Sequence, residues 1–414
     1  MNEYDDLPTQ LTRSLSDHAD VMTGRSLGLA EVKGRARGIR RRRAASAVVA
    51  AAAAVAILVP AVSLANHTGG KPEPAPATQT PSPSPTTTGT PDGSQPAPGV
   101  LDVSDLPTGA APTMDYLENG TLHFADGGTG QVNTRYTPAQ FVEMADGSRV
   151  WQTADDTGTP YVEIQDTDGT FHDPVRTGGG LSVNPKHSIV AWLTPAGQVV
   201  VWGARASEPA PLGDPVPGSD LRLGPVTGDD CSLACSVIVN VRDGRGQPWE
   251  VSDSGSQPLR DGGYLVVNDD SEGGLSIGFT EITDFKTCSK LLGGGEFQGF
   301  ATCKNQLISF SPDGQLIQAL PSYFDGVGPG GIAMYGLDGK QLFERSATEQ
   351  VQSYFTVATW EDDTHVLAPT YQDGKWALVR IASDGSMEYA VAPVKGPYDQ
   401  SRFLLPTGGN VPVA

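Results

Sequence analysis

Four cysteines carry the plainest chemistry in this sequence: Cys231, Cys235, Cys288 and Cys303. An even count confined to one region reads as disulfides in an oxidising compartment. Three pairings are possible, and the two local ones are favoured. Cys231 to Cys235 closes a short loop, and Cys288 to Cys303 staples a longer hairpin around Gly293-Gly294-Gly295. The rival use, a four-thiolate zinc site, ordinarily takes two-residue spacings and reducing surroundings.

Other reactive types are scattered. His123, His172, His187 and His365 stand in no paired metal spacing and flank no nucleophile. Gly293 to Gly295 lacks the lysine and serine that a phosphate-binding loop needs. Asp155-Asp156, Asp229-Asp230, Asp269-Asp270 and Glu361-Asp362-Asp363 present carboxylate oxygens of the kind calcium takes. Asp166-Thr-Asp168-Gly169 imitates the start of a calcium loop without its closing glutamate. Turn-forming aspartates account for all of these at less cost. No catalytic residue, no metal and no cofactor is therefore expected. An enzyme on this chain would have to gather its groups from distant segments.

The elements around these residues are short strands. From about residue 100 onward, runs rich in Val, Ile, Tyr and Trp alternate with Asn119-Gly120, Asp146-Gly147, Asp168-Gly169, Asp243-Gly244, Asp313-Gly314, Asp338-Gly339, Asp373-Gly374 and Asp384-Gly385. Such dipeptides supply the positive φ that tight hairpins demand. No long helical period interrupts them, so the body is all-β. Its repeats recur at roughly 40–45 residues, the period of a β-propeller, and a body of roughly 315 residues then makes seven blades. Trp151, Trp192, Trp202, Trp249, Trp360 and Trp376 fall inside strand patterns and are expected to pack blades. Arg402 to Leu405 could close the ring by pairing near Met114 to Phe124.

Upstream lies a different kind of chain. Ala44 to Ala65 is an uncharged run of 22 residues directly after Arg40, Arg41, Arg42 and Arg43. At 1.5 Å per residue it can cross a hydrocarbon core of about 30 Å. The arginines set the topology: residues 1–43 cytoplasmic, the body outside. A cleaved signal peptide ending at Ser63-Leu64-Ala65 is the alternative, but the basic head is too long for one. Residues 66–100, with Pro72, Pro74, Pro76, Pro81, Pro83 and Pro85, form a disordered Pro/Thr/Ser-rich spacer. The 101–414 body completes the layout. Residues 1–43 carry nine Lys/Arg and six Asp/Glu, net +3, so the chain total of −20 leaves −23 beyond them. That charge argues against nucleic acid and anionic surfaces.

Within the head, Leu11, Leu15, Ala19 and Met22 mark one face of a short helix able to dock a cytoplasmic regulator. His18 stands there without a cysteine, which excludes a zinc site. With its Leu-x3-Leu pattern and arginine cluster, the head resembles the cytoplasmic segments of actinobacterial single-pass proteins that accompany extracytoplasmic-function sigma factors. Ile308-Ser-Phe-Ser-Pro-Asp-Gly314 resembles the turn motif of WD40-like and TolB-like propeller repeats. Taken whole, the chain resembles actinobacterial single-pass membrane proteins with an exported propeller of that kind. The resemblance implies a membrane-anchored binding or sensing module for an extracellular protein or ligand. A passive envelope scaffold is the alternative, with a propeller hydrolase or lyase third. Reporter fusions test the topology: alkaline phosphatase joined after residue 100 should be active, and joined at residue 30 inactive. The reverse pattern would put the body in the cytoplasm.

Overall fold

The computed structural model describes residues 99–407, apart from 205, 207, 232–233, 242–246, 260–264, 271–273, 284–285, 294–298 and 324–327. The head with its docking face and arginines, the apolar run, residues 66–98 of the spacer and the Asp243-Gly244 turn lie outside the described residues. Gly99 and Val100, read as the end of the disordered spacer, form a strand because they find a backbone partner far along the chain.

Seven sheets follow one another along the chain. Blade 2 is Thr137–Glu143, Arg149–Ala154, Pro160–Gln165 and Val175–Arg176. Blade 3 is Gly179–Val183, Ile189–Leu193, Val199–Gly203 and Ala210–Leu212, and blade 4 is Leu221–Asp230, Ala234–Val241, Gln247–Ser252 and Gly255–Pro258. Leu265–Asp270, Leu275–Thr283, Lys286–Gly293 and Ala301–Thr302 make blade 5. Blade 6 is Asn305–Phe310, Leu316–Pro321, Gly331–Gly336 and Gln341–Ser346. In blade 7, Ser353–Phe355 and Thr359–Trp360 share the first position before His365–Gln372, Lys375–Ala382 and Met387–Lys395. Blade 1 takes Tyr116–Glu118, Thr121–His123 and Thr129–Gln131 from the start of the body and Phe403–Leu404 from its end. The described residues form an all-β, seven-bladed propeller.

The strands are called a to d from the axis outward. The a strands touch from blade to blade: Gln140 hydrogen-bonds both backbone groups of Leu181, and Ser182 donates to the Gly224 carbonyl. Phe141 forms a parallel bridge with Pro406, so these a strands run the same way. One face of the disc therefore carries every a–b and c–d turn. The opposite face carries the b–c turns and the d-to-a crossings.

Core packing follows from strand alternation. Successive side chains of a strand point to opposite faces, and here both faces are covered by neighbouring blades. Ile189, Ala191 and Leu193 pack with Val237 and Val251 in the seam between blades 3 and 4. Their alternates Val190 and Trp192 pack with Val150 and Ile164 between blades 2 and 3. Each apolar cluster lies in a seam of this type, as with Phe141 and Trp151 against Leu117 and Leu122. The rings of Phe141 and Trp151 stack at 4.7 Å.

Two turn types recur. On the a–b/c–d face, one five-residue turn is used again and again: Phe124 to Gly128, Met144 to Ser148, Asp166 to Thr170, Gly336 to Lys340 and Ala382 to Ser386. In each, the glycine N–H donates to the first carbonyl, and the aspartate before it accepts from the N–H of the last residue. On the opposite face, blades 1 and 7 use tight hairpins with both central residues left-handed, Asn119 (φ 49) with Gly120 (φ 84) and Asp373 (φ 50) with Gly374 (φ 79). Blades 2 and 3 use five-residue turns there, at Asp155–Thr159 and Thr194–Gln198, with no aspartate before the glycine.

The ring is closed twice. Phe403–Leu404 pairs antiparallel with Tyr116–Glu118, Leu404 opposite Leu117. A strap upstream of blade 1 makes the second closure. Gly99–Val100 adds a fifth strand to blade 6, parallel to Gln341–Ser346. Leu101 and Val103 then sink into the seam between blades 6 and 7 among Ile332, Phe343, Val366 and Tyr389. Their backbone is held by Ser353, Gln372 and Tyr389, and Thr108 bridges in parallel to Tyr389. Arg380 ends the strap. Its guanidinium donates to Glu361 at 2.5 and 2.8 Å, to Glu388 at 2.5 Å, and to the carbonyls of Ala110 and Ala111 at 3.1 Å.

The Glu361 side chain is 1% exposed, and it also accepts from the Thr113 N–H at 2.7 Å. Burial alone would push its carboxyl up. The hydrogen bonds from Arg380 and Thr113, with the Arg380 charge, outweigh that and hold it below the ordinary 4.5. A folded pKa below the unfolded one gives stability that is full above about 4.5 and lost as pH falls through the folded value. Arg380→Met should cost about 3–5 kcal/mol by stranding Glu361 in the core. Glu361→Gln should lower stability at neutral pH and flatten its fall below pH 4.5. Urea melts across that range check both. An unchanged acid limb in Glu361→Gln would remove this pair from the account.

Candidate binding face

Around the axis, polar side chains are spent on neighbouring blades. Besides Gln140 and Ser182, Asn184 donates to the Gly228 carbonyl, Trp360 to Ser309, and Thr359 to the Pro406 carbonyl. Among the described a strands, the charged residues Glu143, Arg222, Asp229, Asp230, Asp269 and Asp270 stand within two positions of a strand end, so the middle of the wall is neutral. Gly274-Leu275-Ser276-Ile277-Gly278 has the spacing of a nucleophile elbow. It runs into Leu275–Thr283, with Ser276 paired to Asp269 and Leu292 on either side, rather than standing on a strand-to-helix turn.

The sequence candidates fall as follows. Cys231 bonds to Cys235 at the a–b hairpin of blade 4, and Cys288 to Cys303 at the opposite face, joining c and d of blade 5. The acidic groups are spread around the disc and engaged in turns and pairs. Asp155 accepts from the backbone of Thr157 and Thr159, and Asp229 pairs with Lys186 at 2.7 Å. Asp166 holds His172 and Asp362 holds His365, each at 3.0 Å. His187, with φ 53, meets the Glu143 carbonyl across the seam of blades 2 and 3. Among the described residues, no three His, Cys, Asp or Glu side chains gather as a metal site would require. Trp151, Trp192 and Trp376 are fully buried, Trp202 is buried, and Trp249 and Trp360 pack partly buried against seam clusters.

The two faces differ in chemistry. The recurrent turn puts Asp126, Asp146, Asp168, Asp338 and Asp384 on one face, joined by Asp229, Asp362 and Asp363. Arg149, Lys186 and Arg380 there are each held by a carboxylate: Asp115, Asp229 and Glu361. That face is acidic as a consequence of its turn design.

The opposite face collects tyrosines. Tyr136 and Tyr161 stack at 4.5 Å on blade 2, with Arg135 over the Tyr136 ring at 5.7 Å. Tyr323, in the b–c connection of blade 6, is 47% exposed, and Tyr398, in the crossing after blade 7, is 51% exposed. Beneath that crossing lie Tyr354, Tyr371 and Trp376, with ring centroids 5.2 to 5.7 Å apart. Trp376 donates its indole N–H to the Pro397 carbonyl at 2.7 Å. Arg135, Arg222, Lys304, Lys375, Lys395 and Arg402 stand on this side as well. Tyrosine and arginine are the residues that dominate binding hot spots, because they offer large rigid area with a polar handle.

The Tyr354 hydroxyl is buried and makes no hydrogen bond among the described residues. Burial first, then Tyr371, Asp399 and Tyr398, push its phenol well above the usual tyrosine range. Sequence reading missed this face, since the tyrosines are spread over three blades and meet only through strand direction. It also missed the strap and the Arg380–Glu361 pair.

No protein-family model matches the sequence, and no curated protein matches it. Solved structures give weak likenesses. YCF48 bound to a D1 peptide aligns at TM-score 0.44 and 14% identity over 69% of this chain and 88% of that one. The propeller domain of the Trilobed protease from Pyrococcus furiosus aligns at 0.42 and 12% over 62% and 85%. A TolB from Agrobacterium tumefaciens aligns at 0.37 and 12% over 57% and 89%.

An unmade buried hydrogen bond costs about 1–3 kcal/mol. Tyr354→Phe should therefore raise stability by about 1 kcal/mol in denaturant melts. A loss of stability would show that the hydroxyl has a partner.

Proposed function

We propose that this protein is a membrane-anchored, exported propeller that works as a binding or sensing module. In this reading the tyrosine face engages an extracellular protein or ligand. The spacer holds the propeller away from the bilayer, and Leu11, Leu15, Ala19 and Met22 offer a docking face to a cytoplasmic regulator of the sigma-factor type. The observation that carries the reading is the concentration of exposed and half-buried tyrosines on one face, Tyr323 and Tyr398 above all. The neutral axis wall supports binding over catalysis, since its polar groups already serve the seams between blades.

A photo-crosslinking amino acid placed in living cells tests both ends. At Tyr323 or Tyr398 it should give adducts with a partner, and at Asp146 or Asp384 on the acidic face it should give none. At Leu15 it should trap the regulator. Equal labelling of both faces, or none at either, would leave a passive scaffold as the better description.

A further inference from the structure

At the rim of the tyrosine face, blade 7 sets two lysines against each other. Lys375 opens the c strand and Lys395 closes the d strand, and they are directly opposite in the antiparallel register. Both are exposed, and neither has an ion-pair partner among the described residues. Like charges directly opposite across a strand pair are destabilising. The arrangement is out of keeping with a chain of net charge −20, in which carboxylates greatly outnumber cations.

A third cation adjoins them. Arg402 donates to the Lys395 carbonyl at 3.0 Å and lies 3.5 Å from Glu118. Tyr398, the most exposed of the described tyrosines, sits in the crossing that joins Lys395 to Arg402. Of the nearby carboxylates, Asp373 stands at the tip of the left-handed b–c turn and Asp399 follows Tyr398. Neither is paired with the lysines among the described residues.

We propose that Lys375, Lys395 and Tyr398 form a docking site for an acidic polypeptide segment, one that carries carboxylates beside an apolar side chain. This inference rests on the tyrosine face being the binding face. Two lysines at opposed register positions of one strand pair supply the positive end of a complementary contact. The exposed ring supplies the apolar anchor that a bare polyanion would leave unused. Because the protein as a whole repels anions, capture of an acidic peptide must come from a local cation cluster.

The test uses the full chain in detergent and a fluorescein-labelled peptide of alternating Glu and Leu, read by anisotropy. Binding is expected, weakening with salt. Lys375→Glu with Lys395→Glu should weaken it by about tenfold or more, and Tyr398→Ala by about fivefold. Lys375→Arg with Lys395→Arg should retain it. Lys395→Glu alone should raise the melting temperature, because an opposed like pair becomes an opposite pair. That variant also guards against reading misfolding as lost binding. Unchanged affinity in the double reversal would overturn the inference, as would a polyphosphate probe that binds equally well with no dependence on Tyr398. If the peptide fails while adducts at Tyr398 persist in cells, the acidic-segment inference falls and the binding face stands.

Discussion

Sheets such as those of blades 1, 2, 3, 6 and 7 bury apolar side chains on both faces, and that single constraint forces the ring. A strand such as Ile189–Leu193, buried along its whole length, cannot be satisfied by one neighbour. It needs a blade on each side, and so does every blade after it, until the last must meet the first. Closure is then the condition on which all the seams depend. The molecule meets it with backbone pairing at Leu404–Leu117 and with a strap whose Leu101 and Val103 fill the seam beside it. Arg380 belongs to the same problem, since its buried charge is balanced only when Glu361 and the strap carbonyls are all in place.

Local chemistry in the sequence foretold much of this. The Asp-Gly and Asn-Gly dipeptides mark turns because left-handed backbone there is a property of two adjacent residues. Pairing of Phe403–Leu404 with blade 1 follows from the period, which leaves the first blade short of a strand. The two disulfides follow from nearness in sequence. The strap was not legible, since Gly99-Val100-Leu101 is too short to read as a strand and its partner Gln341–Ser346 lies far along the chain. Nor was the tyrosine face, which depends on strand direction in three separate blades. The facing of Lys375 and Lys395 is a matter of register, and a shift of one residue would have put another side chain in its place.

The faces differ because two kinds of turn obey different needs. The five-residue turn wants an aspartate to receive the last N–H, and repeating it lines one face with carboxylates whose first duty is structural. The b–c turns vary, from the tight hairpins of blades 1 and 7 to five-residue turns in blades 2 and 3 that lack an aspartate before the glycine, and the crossings between blades are longer. Aromatic and cationic residues can accumulate there without breaking a turn. Composition of a surface is here a by-product of backbone geometry on one side and freedom from it on the other.

The strap also determines how the propeller would answer a pull. Chain entering at Gly99 runs alongside Gln341–Ser346 in the same direction, and Leu101 is anchored in the seam immediately after. Tension along that chain would load the parallel hydrogen bonds and the buried leucine together, in shear, instead of opening them one by one as peeling a hairpin does. The outer edge of blade 6 is thus a mechanical anchor, and the pairing at Leu404–Leu117 is shielded from the load.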